Sequence, residues 1–162
     1  MKRVVITGAG SINALGFTVD ETLEAMRDGR CGIGELEFRD VQRLAIRIGG
    51  QVKGYAPEES FNRQQLSLYD RFTQFTLIAA REAIGQSGLT FTGELAARSG
   101  VVLGNSGGGM TTLDDNYRTV YEDGKNRVHP FVVPKLMNNA AAGHVSMEFN
   151  LKGPSFTVPT AC

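Results

Sequence analysis

Two hydrophobic periods alternate along the chain, and their alternation predicts an α/β fold. Val4-Val5-Ile6 is a short β-branched run, the signature of a strand buried on both faces, and Thr7-Gly8-Ala9-Gly10 turns the chain after it. From Thr18 the period becomes helical. Thr18 and Glu21 have the spacing of a capping box, Val19, Leu23 and Met26 form an apolar stripe, and Gly29 supplies a stop. Ile46, Ile48 and Val52 suggest an edge strand. A long helix is predicted from Arg63 to Gln86, with Leu68, Phe72, Phe75, Ala79 and Ala83 as its core stripe and Gly85 and Gly88 at its end. Ser99 to Leu103 reads as the next strand and runs into Gly104-Asn105-Ser106-Gly107-Gly108-Gly109. A helix over 111–123 turns Leu113, Tyr117 and Val120 inward and closes at Gly124; Pro130 and Pro134 interrupt the chain; a further helix over 135–149 carries Leu136, Ala140, Gly143 and Met147 on one side. Gly153-Pro154 leads into a last strand, with Phe156 and Val158 on one side and Ser155 and Thr157 on the other, and that strand delivers Cys162. Strands separated by helices in this order predict a mostly parallel sheet.

Composition narrows the function classes. Acidic and basic residues balance at 17 each, so no nucleic-acid or polyanion partner is implied. No apolar run approaches a membrane span, and the apolar stretch after Met1-Lys2-Arg3 is too short for a signal peptide. The length of 162 residues suits one domain or part of one. Cys31 and Cys162 lie far apart, forming neither a disulfide framework nor a metal motif, which fits a reducing, cytoplasmic compartment.

The candidate chemistry has several competitors. Gly8-x-Gly10 opens like a dinucleotide-binding turn, but Asn13 stands where the third glycine belongs. Ile12 and Ala14 occupy the glycine positions of the short-chain reductase version. Tyr121-x-x-x-Lys125 has the reductase tyrosine–lysine spacing, yet Gly124 interrupts the helix that should carry both. Gly107-Gly108-Gly109 is not followed by Lys-Ser or Lys-Thr and is no P-loop. His129 and His144 read as structural, and Cys31 as inert packing. Cys162 is either a buried structural thiol or a nucleophile at a strand's carboxyl end, where α/β sheets place their chemistry and where a following helix would favour the thiolate.

Five segments in order decide between these readings. Val4 to Gly10, Gly104 to Gly109, Ala142-Gly143-His144-Val145-Ser146, Lys152-Gly153-Pro154-Ser155 and Thr160-Ala161-Cys162 resemble, with similar spacing, the elongating β-ketoacyl-acyl-carrier-protein synthases. The resemblance covers the N-terminal portion of such an enzyme, well under half, and implies that the protein continues beyond residue 162. It implies a thiolase-like layered fold of which residues 1–162 supply the N-terminal half, with a mostly parallel mixed sheet and packed helices.

By the same resemblance Cys162 is the nucleophile that takes an acyl group from a carrier protein, with its backbone N–H as one arm of the oxyanion hole. A malonyl-carrier protein would then decarboxylate and attack the acyl-enzyme. The two histidines that assist decarboxylation belong to the second half, and neither His129 nor His144 matches them. Gly107, Gly108, Val133 and Leu136 fall at the acyl pocket; Gly107 stands where a larger aliphatic side chain sometimes narrows it. The basic patch that docks the carrier is reduced here to Arg63 and Arg71, since Gln64, Gln65, Leu66 and Ser67 follow Arg63. A homodimer is implied, without cofactor or metal. The alternatives are a non-catalytic partner subunit of a synthase pair and, from the incomplete glycine fingerprint, a nucleotide-dependent short-chain reductase.

Overall fold

A computed structural model describes residues 3–160. The helices are α1 (Val19–Arg27), α2 (Arg63–Leu68), α3 (Arg71–Ser87), α4 (Gly93–Arg98), α5 (Met110–Tyr121), α6 (Val132–Leu136) and α7 (Ala140–Glu148). The strands are β1 (Ile33–Glu35), β2 (Ile48–Gly50), β3 (Val101–Gly104) and β4 (Ser155–Val158). β1 and β2 pair antiparallel, with Gly34 opposite Gly49, and β3 and β4 pair parallel, from Val101 opposite Ser155 to Gly104 opposite Val158. The chain divides into two compact units. One gathers the residues up to Ala56 with Ile78–Gly88; the other gathers Pro57–Leu77 with the residues from Leu89 on.

In the first unit Thr18 caps α1 as its spacing predicts. Its hydroxyl accepts from Glu21 N at 3.2 Å, and Glu21 reaches back to Phe17 N at 2.6 Å, one residue before the cap. The expected apolar stripe is not the buried face: Ala25 is fully buried, whereas Leu23 and Met26 are exposed. The glycines after Ile6 serve a helix rather than a phosphate. A Cβ at Gly8 would overlap the Ala83 carbonyl, and one at Gly10 the Ala79 carbonyl. The Glu82 carboxylate accepts from Ser11 N (2.8 Å) and from Val19 N (2.9 Å), so a protein carboxylate already holds the amide at the start of α1. Val4-Val5-Ile6 does not form the expected strand and is highly exposed. A strand needs a neighbour for its N–H and C=O groups, and no described residue pairs with it.

The second unit holds Phe61, Leu77, Ala96, Ala141, Ala142 and Val145 in its core. α7 packs on both β3 and β4, and its alanines permit the close approach. Both long predicted helices are divided. Residues 63–86 break at Tyr69, which is extended (φ −104°, ψ 123°). Asp70 then restarts the helix, its carboxylate accepting from Phe72 N at 3.2 Å. Residues 135–149 break at Met137 (φ −58°, ψ 138°), which leaves the helical region. α4 and β1 were not legible in the hydrophobic pattern. Tyr117 and Val120, expected inward, are exposed, and Thr112 is the buried side chain of α5. In β4 the alternation places Phe156 and Val158 on the exposed side and Thr157, half-buried, on the other.

Candidate functional site

The carboxyl ends of β3 and β4 carry the candidate site. Asn105 N donates to Val158 O at 3.4 Å, so the glycine loop 104–109 leaves β3 beside the end of the strand that leads toward Cys162. Cys162 itself lies outside the described residues. The loop is then fixed to the segment between α6 and α7. Asn105 Nδ2 donates to Asn138 O at 2.7 Å, and Gly109 N donates to Leu136 O at 3.1 Å. Those two carbonyls are turned to the loop instead of continuing a helical ladder, which explains the break at Met137. Asn105 Oδ1 and Thr157 Oγ1 are buried and have no partner among the described residues.

The structure brings Gly108 and Leu136 together. Gly108 has φ +62°, and a Cβ there would overlap the Leu136 carbonyl oxygen and lie 2.8 Å from Asn138 Oδ1. Gly107 differs. Its backbone is not left-handed, and a Cβ would meet only the Met110 thioether, at 3.3 Å from Sδ. Leu136 is half-buried and Val133, on the same short helix, is exposed.

Arg63 is the first residue of α2 and exposed. Gln65, which interrupts the expected basic patch, completes a capping box: Asn62 Oδ1 accepts from Gln65 N and Gln65 Oε1 accepts from Asn62 N, each at 2.9 Å. The Arg71 guanidinium lies 5.1 Å from the Phe75 ring centroid, a cation–π contact that orients it.

The break at Tyr69-Asp70 divides what the hydrophobic stripe predicts as one helix, and both residues are held in place by the rest of this unit. Tyr69 packs edge-on to Phe61 at 5.7 Å and against the His144 ring at 4.4 Å. Asp70 is 4% exposed; its Oδ2 accepts from Thr112 N at 2.7 Å and Thr112 Oγ1 at 2.6 Å. The signal was an aspartate ahead of Arg-Phe, an N-cap type of residue that the continuing aromatic stripe concealed.

Both histidines are engaged locally. His129 Nδ1 accepts from Phe131 N at 3.2 Å. Burial lowers the His144 pKa below its ordinary 6.5, with Glu148 opposing more weakly. A lowered folded-state value favours the neutral ring, so this contribution to stability is present above about pH 6.5 and is lost as pH falls through the folded pKa. His144→Phe keeps a ring against Tyr69 and cannot titrate. The unfolding midpoint of this variant is expected to fall less between pH 7.5 and pH 5 than that of the parent; parallel curves would refute the assignment. Cys31, expected to be packed, is exposed on the rim of a cavity of about 340 Å³ in the first unit.

Comparison with known proteins accounts for this architecture. The family model "Beta-ketoacyl synthase, N-terminal domain" matches residues 1–162. Nodulation protein E of a Rhizobium species is 39% identical over 161 residues, which is 99% of this chain and 40% of that protein. The 3-oxoacyl-acyl-carrier-protein synthase 2 of Staphylococcus aureus is 35% identical over 161 residues, 99% of this chain and 39% of that protein. Among solved structures, the ishigamide ketosynthase/chain length factor superposes with a TM-score of 0.83 at 22% identity, over 98% of this chain and 40% of that one. That likeness shows the thiolase-like fold. The chain spans about two-fifths of the length of the curated relatives it matches. No helix among the described residues is long and apolar enough to cross a membrane. The ordered glycine loop, the parallel strand pair and the family match over all 162 residues lead to one conclusion: this chain belongs to the β-ketoacyl synthase family, as its N-terminal domain.

Proposed function

We propose that this chain is the nucleophile-bearing portion of a β-ketoacyl-acyl-carrier-protein synthase that extends a fatty acyl or polyketide-like chain by two carbons. The observation that carries the reading is the glycine loop, seated on Leu136 beside the carboxyl end of β4, from which the sequence runs on to Cys162. The Cys162 thiolate attacks the acyl thioester and forms a new thioester, and the carrier leaves as its thiol. The Cys162 backbone N–H stabilises the oxyanion of the tetrahedral intermediate. A malonyl-carrier protein then loses carbon dioxide, and its carbanion attacks the acyl-enzyme, releasing Cys162 and a β-ketoacyl-carrier product. Gly107, Gly108, Val133 and Leu136 line the path of the acyl chain. Residues outside 1–162 supply the histidines that assist decarboxylation.

The carrier docks on Arg63 and Arg71, and the carrier named in the Staphylococcus aureus relative supports that partner class. The protein works in the cytoplasm as a homodimer. The exposed apolar Val102 and Phe156 of the parallel pair suit a surface that further protein covers. The second reading, a non-catalytic partner subunit, is favoured by the likeness to a ketosynthase/chain length factor pair; the presence of Cys162 favours the enzyme.

The test is intact mass of the full-length protein before and after incubation with acyl-carrier protein, with the adduct mapped by peptide fragmentation. One acyl group on Cys162 is expected. A full-length protein whose Cys162 stays unlabelled turns the reading to the partner subunit.

A further inference from the structure

Asp70 does more than start α3. Its carboxylate reaches 42 residues along the chain to the first turn of α5, where Gly109 stands at the cap position and offers no side chain. Thr112 gives Asp70 Oδ2 both its backbone N–H and its hydroxyl, the shortest polar contacts at this junction. Gly109 is buried there between two elements. A Cβ there would lie 3.1 Å from Asp70 Oδ2 on one side and 2.7 Å from Leu136 Cα on the other. The same glycine donates to Leu136 O. One aspartate therefore holds the start of α3, the start of α5 and, through Gly109, the seat of the glycine loop on α6.

We propose that Asp70 is a positioning residue for the acyl pocket, fixing through Thr112 and Gly109 the loop on which acyl-chain length is read. The proposal rests on the synthase reading above. Asp70→Asn removes the charge and leaves at least one of its three side-chain bonds unmade, while keeping size and shape. Thr112→Val removes only the hydroxyl donor and leaves the backbone N–H.

The readout is the ratio of Cys162 acylation rates, in the full-length protein, with two carriers: acetyl-carrier protein and the longest acyl-carrier that the parent accepts. Asp70→Asn is expected to lower the long-to-short ratio about tenfold and Thr112→Val about threefold, in proportion to a charged and a single hydroxyl contact. Because both act on one contact, the double variant is expected to go little further than Asp70→Asn. A merely structural role would lower the unfolding midpoint and slow both carriers together, and an unchanged ratio in the variants overturns the proposal. If Asp70→Asn does not fold, Thr112→Val alone decides it by the same criterion. A parent that takes up no acyl group from either carrier sinks the synthase reading and this proposal with it.

Discussion

Gly108→Ala is expected to destabilise the protein by about 3 kcal/mol, whereas Gly107→Ala one position earlier is expected to cost less than about 1 kcal/mol. The chemistry of the two changes is the same, and the difference lies in the backbone and its neighbours. At φ +62° an alanine Cβ crowds its own following carbonyl, a cost of about 1–2 kcal/mol. The same Cβ overlaps the Leu136 carbonyl oxygen and presses on Asn138 Oδ1, so the loop must lift from the α6–α7 segment. Lifting weakens the bonds from Gly109 N to Leu136 O and from Asn105 Nδ2 to Asn138 O, each worth about 1 kcal/mol. Gly107 has neither problem, since its Cβ would meet only a thioether that can turn away. Urea denaturation of the two full-length variants measures both. Equal losses would mean that the loop is not held as described.

The same loop shows how far the sequence could be read. Its place after a strand was legible, because Val101-Val102-Leu103 has the apolar run of a strand and glycines follow it. What the loop rests on was not. Leu136 to Met147 keeps a helical stripe, and nothing in the stripe announces that the Leu136 and Asn138 carbonyls leave the ladder to accept from residues some thirty positions earlier. The break at Asp70 was hidden for the same reason. Leu68, Phe72 and Phe75 continue one face across it, and hydrophobic periodicity is blind to a cap whose partner is distant in sequence. Val4-Val5-Ile6 failed in the opposite direction. Its composition is that of a buried strand, but pairing belongs to the partner strand and not to the run itself. Leu23 and Met26 read inward by type, while Ala25 takes the fully buried position of α1. Local signals such as Thr18-x-x-Glu21 and Gly29 were read directly, since the atoms they join are neighbours in the chain.

On the proposed synthase reading, Gly107→Ile is expected to change which acyl chains the full-length protein accepts while leaving its fold intact. Gly107 is half-buried, its φ lies outside the left-handed region, and the first atom a side chain would meet is Met110 Sδ. Those facts remove the backbone objection that Gly108 raises, so an isoleucine can be built and its branches project into whatever space the loop borders. If that space is the acyl pocket, the long primer must displace a side chain or bend around it. Overpacking of this kind costs about 1–3 kcal/mol, which lowers acylation by long acyl-carriers roughly fivefold to somewhat over a hundredfold. Acetyl-carrier, too short to reach the obstruction, should acylate within about threefold of the parent. The comparison of the two rates in the full-length protein separates a blocked pocket from a damaged nucleophile, because damage at Cys162 slows both. A Gly107→Ile variant that folds like the parent and keeps its preference for long chains would remove Gly107 from the pocket. Leu136, half-buried and holding the loop through its carbonyl, would be the next residue to vary.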